Sequence, residues 1–380
     1  MHIAFYAPMK SPHHPRPSGD RRIARLLIKS LEQAGHSVEL MSELRAWEGK
    51  GDPIRQQAIK TQAEQETRRI LSDIQVRPPE QKPDLWFSYH LYHKAPDWIG
   101  PAVARQLKIP YLVAEASYAP RQEHGDWKYG LQQVRRALDQ ASAIICLNSC
   151  DRPALETLGE VKNKLHALSP FVDTGELDSD PGETRRGATA REYGLDPALP
   201  WLISVAMMRN DAKLLSYRLL AQTLSRLENA FQLILVGDGK ARSAVERLFT
   251  DAFPHPVCFT GQLEHREALR LMQASDLFAW PAVNEAIGMA ILEAQACGLP
   301  VVAGASGAIP DIVRDEASAF LCSAEDPPCM ARYIDTLLAD PRLRHQFSRA
   351  ARENVMHRHS LEAAAHSLNR VLTHCCLLYT

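Results

Sequence analysis

The chain has 380 residues, more than one compact core needs and about right for two domains of ordinary size. Its apolar content of 45% is ordinary for a globular protein, and a net charge of −1 excludes an overall field that would draw it to nucleic acid or an anionic membrane. Eight cysteines without a CxxC pair, and an N-terminus "MHIAFYAPMK" lacking the pattern of a secretory signal, lead us to expect reduced thiols in the cytoplasm. Apolar runs long enough to span a bilayer, about 18 residues, are absent from the sequence.

In chain order, the first half offers six strand-like runs: "HIAFYAP", "HSVELMS", "DLWFSYH", "PYLVAEA", "SAIICLN" and "LHALSPF". Amphipathic segments alternate with them, such as "RRIARLLIKSLEQAG", which ends on Gly35 as a C-terminal stop. Residues 56–72 read as a solvated helix. The segment from Asp173 to Pro200 is polar and carries Gly and Pro, without a strand pattern, so the domain boundary is expected there, with domains at 1–175 and 176–380. Strand runs resume as "WLISVAMM", "FQLILVGDG", "VCFTGQ", "DLFAWP", "GLPVVAG" and "SAFLCS", again with helical segments between. Apolar strands alternating with helices predict parallel sheets covered on both faces, so we expect an α/β protein of two doubly wound domains facing across a cleft. Ligands bind such sheets outside the carboxyl ends of the strands. The last helical segments, from about Pro341, are amphipathic, and one is expected to return to the first domain.

The most informative stretch is "NEAIGMAILEAQACGLPVV", Asn284 to Val302. A helix is predicted from Ala286 or Ile287, apolar nearly all round, with Glu285 just before it and Glu293 inside it. An ionised carboxylate in such a setting needs a structural partner or a ligand. The helix start favours an anion, and Gly288 and Ala290 allow close backbone approach. Two carboxylates about 12 Å apart along the axis would suit hydroxyls on either side of a diphosphate. The alternative is a surface cap at Glu285 and a buried pair at Glu293. Arg209 and Lys213 follow the strand "WLISVAMM" and would either neutralise a departing diphosphate or stand as solvated cations. After the first strand, "PHHPRPSGDRRIARLL" brings Gly19 to a helix start, where backbone amides can meet a phosphate. The basic residues around it, His13 to Arg25, read as a solvated face or as a reception for an anionic acceptor, and the pair His13-His14 has no metal-ligand spacing. "GDGKARS" gives only Gly237 and Gly239 of a dinucleotide fingerprint, and a tight turn after a strand is the better reading.

"NEAIGMAILEAQACGLPVVAGASGAIPDIV", with "LILVGDGKARSAVERL" and "CFTGQLEHREALRLMQASDLFAWPAVNE", resembles the E-x7-E region of family 4 (GT4) retaining glycosyltransferases of the GT-B fold. "SPFVDTGEL" resembles that family's Asn-Gly-Val-Asp-x-x-x-Phe junction. The resemblance implies a nucleotide-sugar donor, UDP- or GDP-linked, and a glycan, lipid-linked or small-molecule acceptor, with no metal and no cofactor. It implies that Glu285 contacts the transferred sugar, Glu293 the ribose, and the backbone of Ala286, Ile287, Gly288 and Met289 the distal phosphate and sugar. Gly261, Gln262 and Leu263 would lie beside the base, Gly19 near the diphosphate or acceptor, and Lys213 and Arg209 at the leaving group. The chain departs from the family's Gly-Arg-Leu-x-x-x-Lys, having Ala206 and Met207 there, so Arg209 is displaced. It also has Ala116 where the family's Thr-x-His carries histidine; Glu115, Tyr118 and His90 are the acceptor-side candidates, with His93 a further substitute. Glu115 either faces the acceptor or pairs with Lys94 or Arg121. Rival expectations are a GT-B epimerase or phosphorylase and a non-catalytic subunit that binds nucleotide-sugar. The helix "RRIARLLIKSL" adds an expectation of peripheral contact at the inner face of a membrane.

Overall fold

A computed structural model describes all residues except 17, 178–181, 251–252 and 378–380. Part of the expected boundary segment Asp173 to Pro200 therefore lies outside the described residues. The chain forms two compact units, Met1–Ser169 with Leu361–Thr380, and Pro170–Ser360.

The first unit contains β1 (His2–Tyr6), α1 (Gly19–Gln33), β2 (Ser37–Ser42), α2 (Pro53–Val76), β3 (Leu85–Leu91) and α3 (Gly100–Leu107). It continues with β4 (Tyr111–Ala116), α4 (Lys128–Gln140), β5 (Ala143–Cys146), α5 (Arg152–Glu156) and β6 (Leu165–Ala167). These six strands form one sheet in the order β2-β1-β3-β4-β5-β6, every pairing parallel. Phe5, Leu85, Trp86, Phe87 and Leu112 are fully buried, as strands covered on both faces require. Ser18 caps α1, accepting a hydrogen bond from the Arg21 amide at 3.2 Å. The apolar face of α1, with Ile23, Leu26, Leu27 and Leu31, is buried inside the unit.

The second unit opens with α6 (Gly182–Tyr193), where the sequence suggests only a polar connection. Its anchor is distant in sequence: Arg186 Nη1 donates to the Ala274 carbonyl and Asp276 Oδ2, both at 3.0 Å, and its guanidinium lies 4.0 Å over the Trp201 ring. Then follow β7 (Trp201–Val205), α7 (Ala212–Leu224), β8 (Gln232–Val236), α8 (Arg242–Glu246), β9 (Val257–Gly261), α9 (His265–Gln273) and β10 (Leu277–Trp280). The rest are α10 (Met289–Ala296), β11 (Val301–Gly304), α11 (Ile309–Ile312), β12 (Ala319–Cys322), α12 (Pro327–Ala339) and α13 (Pro341–Arg358). The sheet order is β12-β11-β10-β7-β8-β9, again all parallel. From Leu361 the chain rejoins the first unit as α14 (Leu361–Leu377), which packs on α1. Among the described residues no helix is long and apolar enough to cross a membrane, and α1 spends its apolar face on the interior of its own unit.

Candidate functional site

In the second sheet β7 is the switch strand: β8 and β9 succeed it on one side, and β10 to β12 lie on the other. The loops after β7 and β10 therefore diverge, which is where doubly wound sheets bind ligands. Ser204 Oγ donates to the Ala279 carbonyl at 2.6 Å and ties the two strands. Asp211 caps α7 by accepting from the Lys213 amide at 2.9 Å, and the Val283 amide donates to Ser216 Oγ at 3.0 Å. The first turns of α7 are thereby fastened to the loop after β10. In consequence Lys213 Nζ and Glu285 Oε2 form a hydrogen-bonded ion pair, with only 18% and 19% of the side chains exposed. Lys213 also lies 5.5 Å over the Trp280 ring.

The loop carrying Glu285 is shaped by close backbone approaches. Ala282 and Asn284 have φ of +60° and +50°, and a Cβ added at Gly307 would stand 1.7 Å from the Glu285 carbonyl oxygen. One at Gly304 would stand 1.9 Å from that of Pro281. Gly237 and Gly239 serve the neighbouring loop likewise: a Cβ there would meet the carbonyls of Ala206 and Met208 at 2.0 and 2.3 Å. The "GDG" turn thus lets two backbones touch, and Tyr217 Oη completes the clamp by donating to the Ala206 carbonyl at 2.8 Å.

The helix starts later than the sequence suggests. Gly288, at φ +81°, is the N-cap and the helical residues begin at Met289. The left-handed turn through Gly288 ends the loop, so Ala286 and Ile287 precede the helix and Glu285 lies off its axis. The spacing of the two acids is consequently not set by helical rise alone. The Ile291 and Leu292 amides already donate to the Gly288 carbonyl, so the start of α10 that could meet an anion is at Met289 and Ala290.

Glu293, 13% exposed, faces His265 at the start of α9: His265 Nε2 is 3.7 Å from Glu293 Oε1 and 3.1 Å from Glu176 Oε2. Gly261 ends β9 with φ +74°, and Gln262 and Leu263 lead from it to His265. Arg209 does not join this group. Its Nε pairs with Asp211 Oδ2 at 3.0 Å, with the side chain 54% exposed.

The remaining sequence-predicted residues lie in the first unit. Gly19 opens α1, and a Cβ there would meet nothing within 4 Å, so no close approach requires glycine. The basic residues near it hold the loop: Arg21 Nη1 donates to the His14 and Pro15 carbonyls, and Arg25 Nε to that of Pro12. Tyr118 Oη donates to Glu123 Oε1 at 3.1 Å. His90 Nδ1 lies 2.9 Å from Asp20 Oδ1. Among the described residues Glu115 makes no ion pair with Lys94 or Arg121; Lys94 sits 4.3 Å over the Trp127 ring. Asp20, Glu176 and His265 are partners that the sequence did not single out. Asp20 had one local signal, an acid in the first turn of a helix, which the helix dipole alone accounts for.

Two units, each a six-stranded parallel sheet with helices, have the GT-B fold, and known structures share it. HepE of Anabaena, solved in complex with UDP, superposes with a TM-score of 0.75 at 16% identity, over 98% of this chain and 100% of that one. Residues 195–354 match the family described as Glycosyl transferases group 1. Sulfoquinovosyl transferase SQD2 of Arabidopsis thaliana is 27% identical over 261 residues, 66% of this chain and 49% of that protein. A GDP-mannose-dependent monoacylated alpha-(1-6)-phosphatidylinositol monomannoside mannosyltransferase of Corynebacterium glutamicum is 35% identical over 148 residues, 37% of this chain and 38% of its own. The chain thus spans half or less of the length of these two curated relatives.

Proposed function

We propose that the protein is a retaining glycosyltransferase, moving a sugar from a UDP- or GDP-sugar to a glycan, lipid-linked or small-molecule acceptor. The observation that carries this reading is the half-buried Lys213–Glu285 pair at the switch point of the second sheet. A buried ion pair contributes little net stability, because desolvation offsets the attraction, so its partners can be exchanged at small cost. A diphosphate arriving at the first turn of α10 would take Lys213 from Glu285. The freed carboxylate would then accept a hydroxyl of the sugar. Glu293, with His265 and Glu176 beside it, would take the ribose, and Gly261 to Leu263 the base. Arg209 would reach the diphosphate only by leaving Asp211.

As the bond from the sugar to the diphosphate breaks, its electron pair goes to the departing oxygen. Lys213 and the helix start meet that charge. In a front-face course the same oxygen takes the proton of the acceptor hydroxyl as that hydroxyl bonds the anomeric carbon. This reading assigns no metal and no cofactor. It places the acceptor on the first unit, with His90, Glu115 and Tyr118, and the protein in the cytoplasm, where its eight thiols would stay reduced. Names among the relatives agree in chemistry: one is GDP-mannose-dependent, and HepE has been solved with UDP-glucose.

The test is turnover with UDP- and GDP-sugars over an acceptor panel, with the anomer read by NMR. Glu285→Ala and Lys213→Ala are each expected to lose about 100-fold or more in kcat. Each also strands a charge, so the double variant Lys213→Ala/Glu285→Ala is the control: it should be the more stable protein and still inactive. Normal turnover in either single variant overturns the site, an inverted anomer overturns the stereochemistry, and conversion of the donor without acceptor indicates an epimerase.

A further inference from the structure

The loops that leave β2, β3 and β4 meet around one small cavity inside the first unit. The Glu48 amide donates to the Lys94 carbonyl at 2.8 Å, and Trp127 Nε1 donates to the Glu48 carbonyl at 3.0 Å. Gly130, early in α4, lies so close to His93 that a Cβ there would stand 2.0 Å from the His93 carbonyl oxygen. Gln56, in the first turn of α2, completes the wall, its Nε2 donating to the Asp126 carbonyl at 2.9 Å. Glu48, Gln56, His93, Trp98 and Trp127 line the cavity, which offers about 10 Å³ to a water-sized sphere, enough for one water.

Gln56 is only 8% exposed, and its Oε1 is buried without a hydrogen-bond partner among the described residues. His93 Nδ1, in the same wall, is buried likewise. Turning the Gln56 amide over does not help. A backbone carbonyl only accepts, so Nε2 must face Asp126 and Oε1 must face away from it. Burial lowers the His93 pKa, and the charges of Lys94 and Arg121 lower it further, so at neutral pH the imidazole is uncharged and one of its nitrogens carries a proton. Glu48, 4% exposed, accepts from the Lys50, Gly51 and Asp52 amides at 2.7, 2.6 and 3.1 Å. A carboxylate has about four acceptor sites, so Glu48 can accept once more.

A buried acceptor left without a donor costs roughly 5- to 150-fold in the folding equilibrium. None of the described residues donates to Gln56 Oε1, and an apolar guest would leave the loss in place. We propose that the cavity binds one ordered water. It donates its two hydrogens to Gln56 Oε1 and the Glu48 carboxylate, and it accepts from the Nδ1–H of His93. Three partners are about the usual number for a buried water. The water joins α2 to the loops after β2 and β3, and so fixes the edge from which those loops rise. His93 is thereby committed to holding the loops together and is not free to stand in for a histidine beside a sugar. The site stands apart from the function proposed above, whose residues do not line the cavity.

Crystallography, NMR and unfolding of the full chain test it. A high-resolution crystal structure should show one compact density peak within hydrogen-bonding distance of Gln56 Oε1, the Glu48 carboxylate and His93 Nδ1. Nitrogen-15 NMR of the imidazoles should find the His93 proton on Nδ1. His93→Phe keeps a ring and leaves the Gln56 bond to Asp126 intact; in urea unfolding it should lower the folding constant about tenfold. Gln56→Met should lower it by at least as much. The double variant should lose at least about fivefold less than the product of the two single losses, because the same water is lost once. Absence of density between these atoms, a proton on Nε2, or losses that simply multiply overturn the proposal. Density and tautomer are read on the unsubstituted protein, so they decide the matter where a variant fails to fold.

Discussion

At the scale of single residues, the site depends on glycines that hold neighbouring loops in contact. Gly307 is the sharpest case, with φ +56° and its Cα pressed on the Glu285 carbonyl, 1.7 Å from where a Cβ would be. Alanine there cannot be accommodated unless the Glu285 loop moves. Gly194 separates this steric effect from backbone strain: it has φ +64°, but a Cβ would meet nothing within 4 Å. Both substitutions incur the left-handed penalty of about 1–2 kcal/mol. Only Gly307→Ala should also displace Glu285, and a shift of about 1 Å can lower turnover about 100-fold. Steady-state kinetics on the two variants check this: equal turnover in both would mean that Gly307 matters for folding alone. The sequence showed a glycine loop but not which backbone it would touch. That contact joins segments that follow different strands, and no local pattern encodes it. The Lys213–Glu285 pair was hidden for the same reason, its members 72 residues apart and joined only by the strand order.

Among the elements, the twelve strand runs are the most legible part of the chain, and all twelve form strands. Parallel strands buried on both faces need continuous apolar residues, so their pattern is local and strong. Helix α6 was less legible, because Arg186 is anchored by Asp276 and Trp201 far along the chain. Helix α10 was half legible: its apolar body was plain, but its start at Met289 depends on the turn at Gly288. What orients α10 is Gln295, fully buried in an otherwise apolar helix. Gln295 Nε2 donates to the Ile312 carbonyl at 2.9 Å, and its Oε1 accepts from Ser318 Oγ at 3.2 Å and Asn354 Nδ2 at 3.3 Å. One side chain thus ties α10 to α11, to the turn before β12 and to α13. Gln295→Leu keeps the volume and removes all three bonds. Ser318 and Asn354 each retain a second acceptor, Arg314 and Ile312 carbonyls, so the loss should be about 1–3 kcal/mol rather than the sum of three. Urea unfolding measures it. A change below about 0.5 kcal/mol would show that the bonds add nothing beyond packing.

For the molecule as a whole, the chain leaves the first unit at Ser169 and returns to it at Leu361. Within the second unit the two ends of that excursion lie side by side, with the Val172 amide donating to the His359 carbonyl at 2.9 Å. The sequence suggested that a late helix returns, and its partner is α1, the helix whose basic amphipathic pattern had pointed to a membrane. α14 packs on α1 and itself buries Leu361, Leu368, Leu372, Ala364, Ala365 and Cys375. His36 adds a polar tie, its Nε2 3.1 Å from Asn369 Oδ1. Three buried leucines alone represent roughly 5–9 kcal/mol of apolar burial at about 1.5–3 kcal/mol each. That is comparable to the whole stability of an ordinary domain. Ending the chain after Ser360 should therefore unfold the first unit while the second keeps its own core, residues 170–360. Limited proteolysis read by mass spectrometry should digest residues 1–169 and spare the rest. UDP should still raise the melting temperature of the surviving unit, since the proposed donor residues all lie within it except Gly19. A first unit that resists protease after the truncation would mean that α14 packs on α1 without supporting the unit's fold.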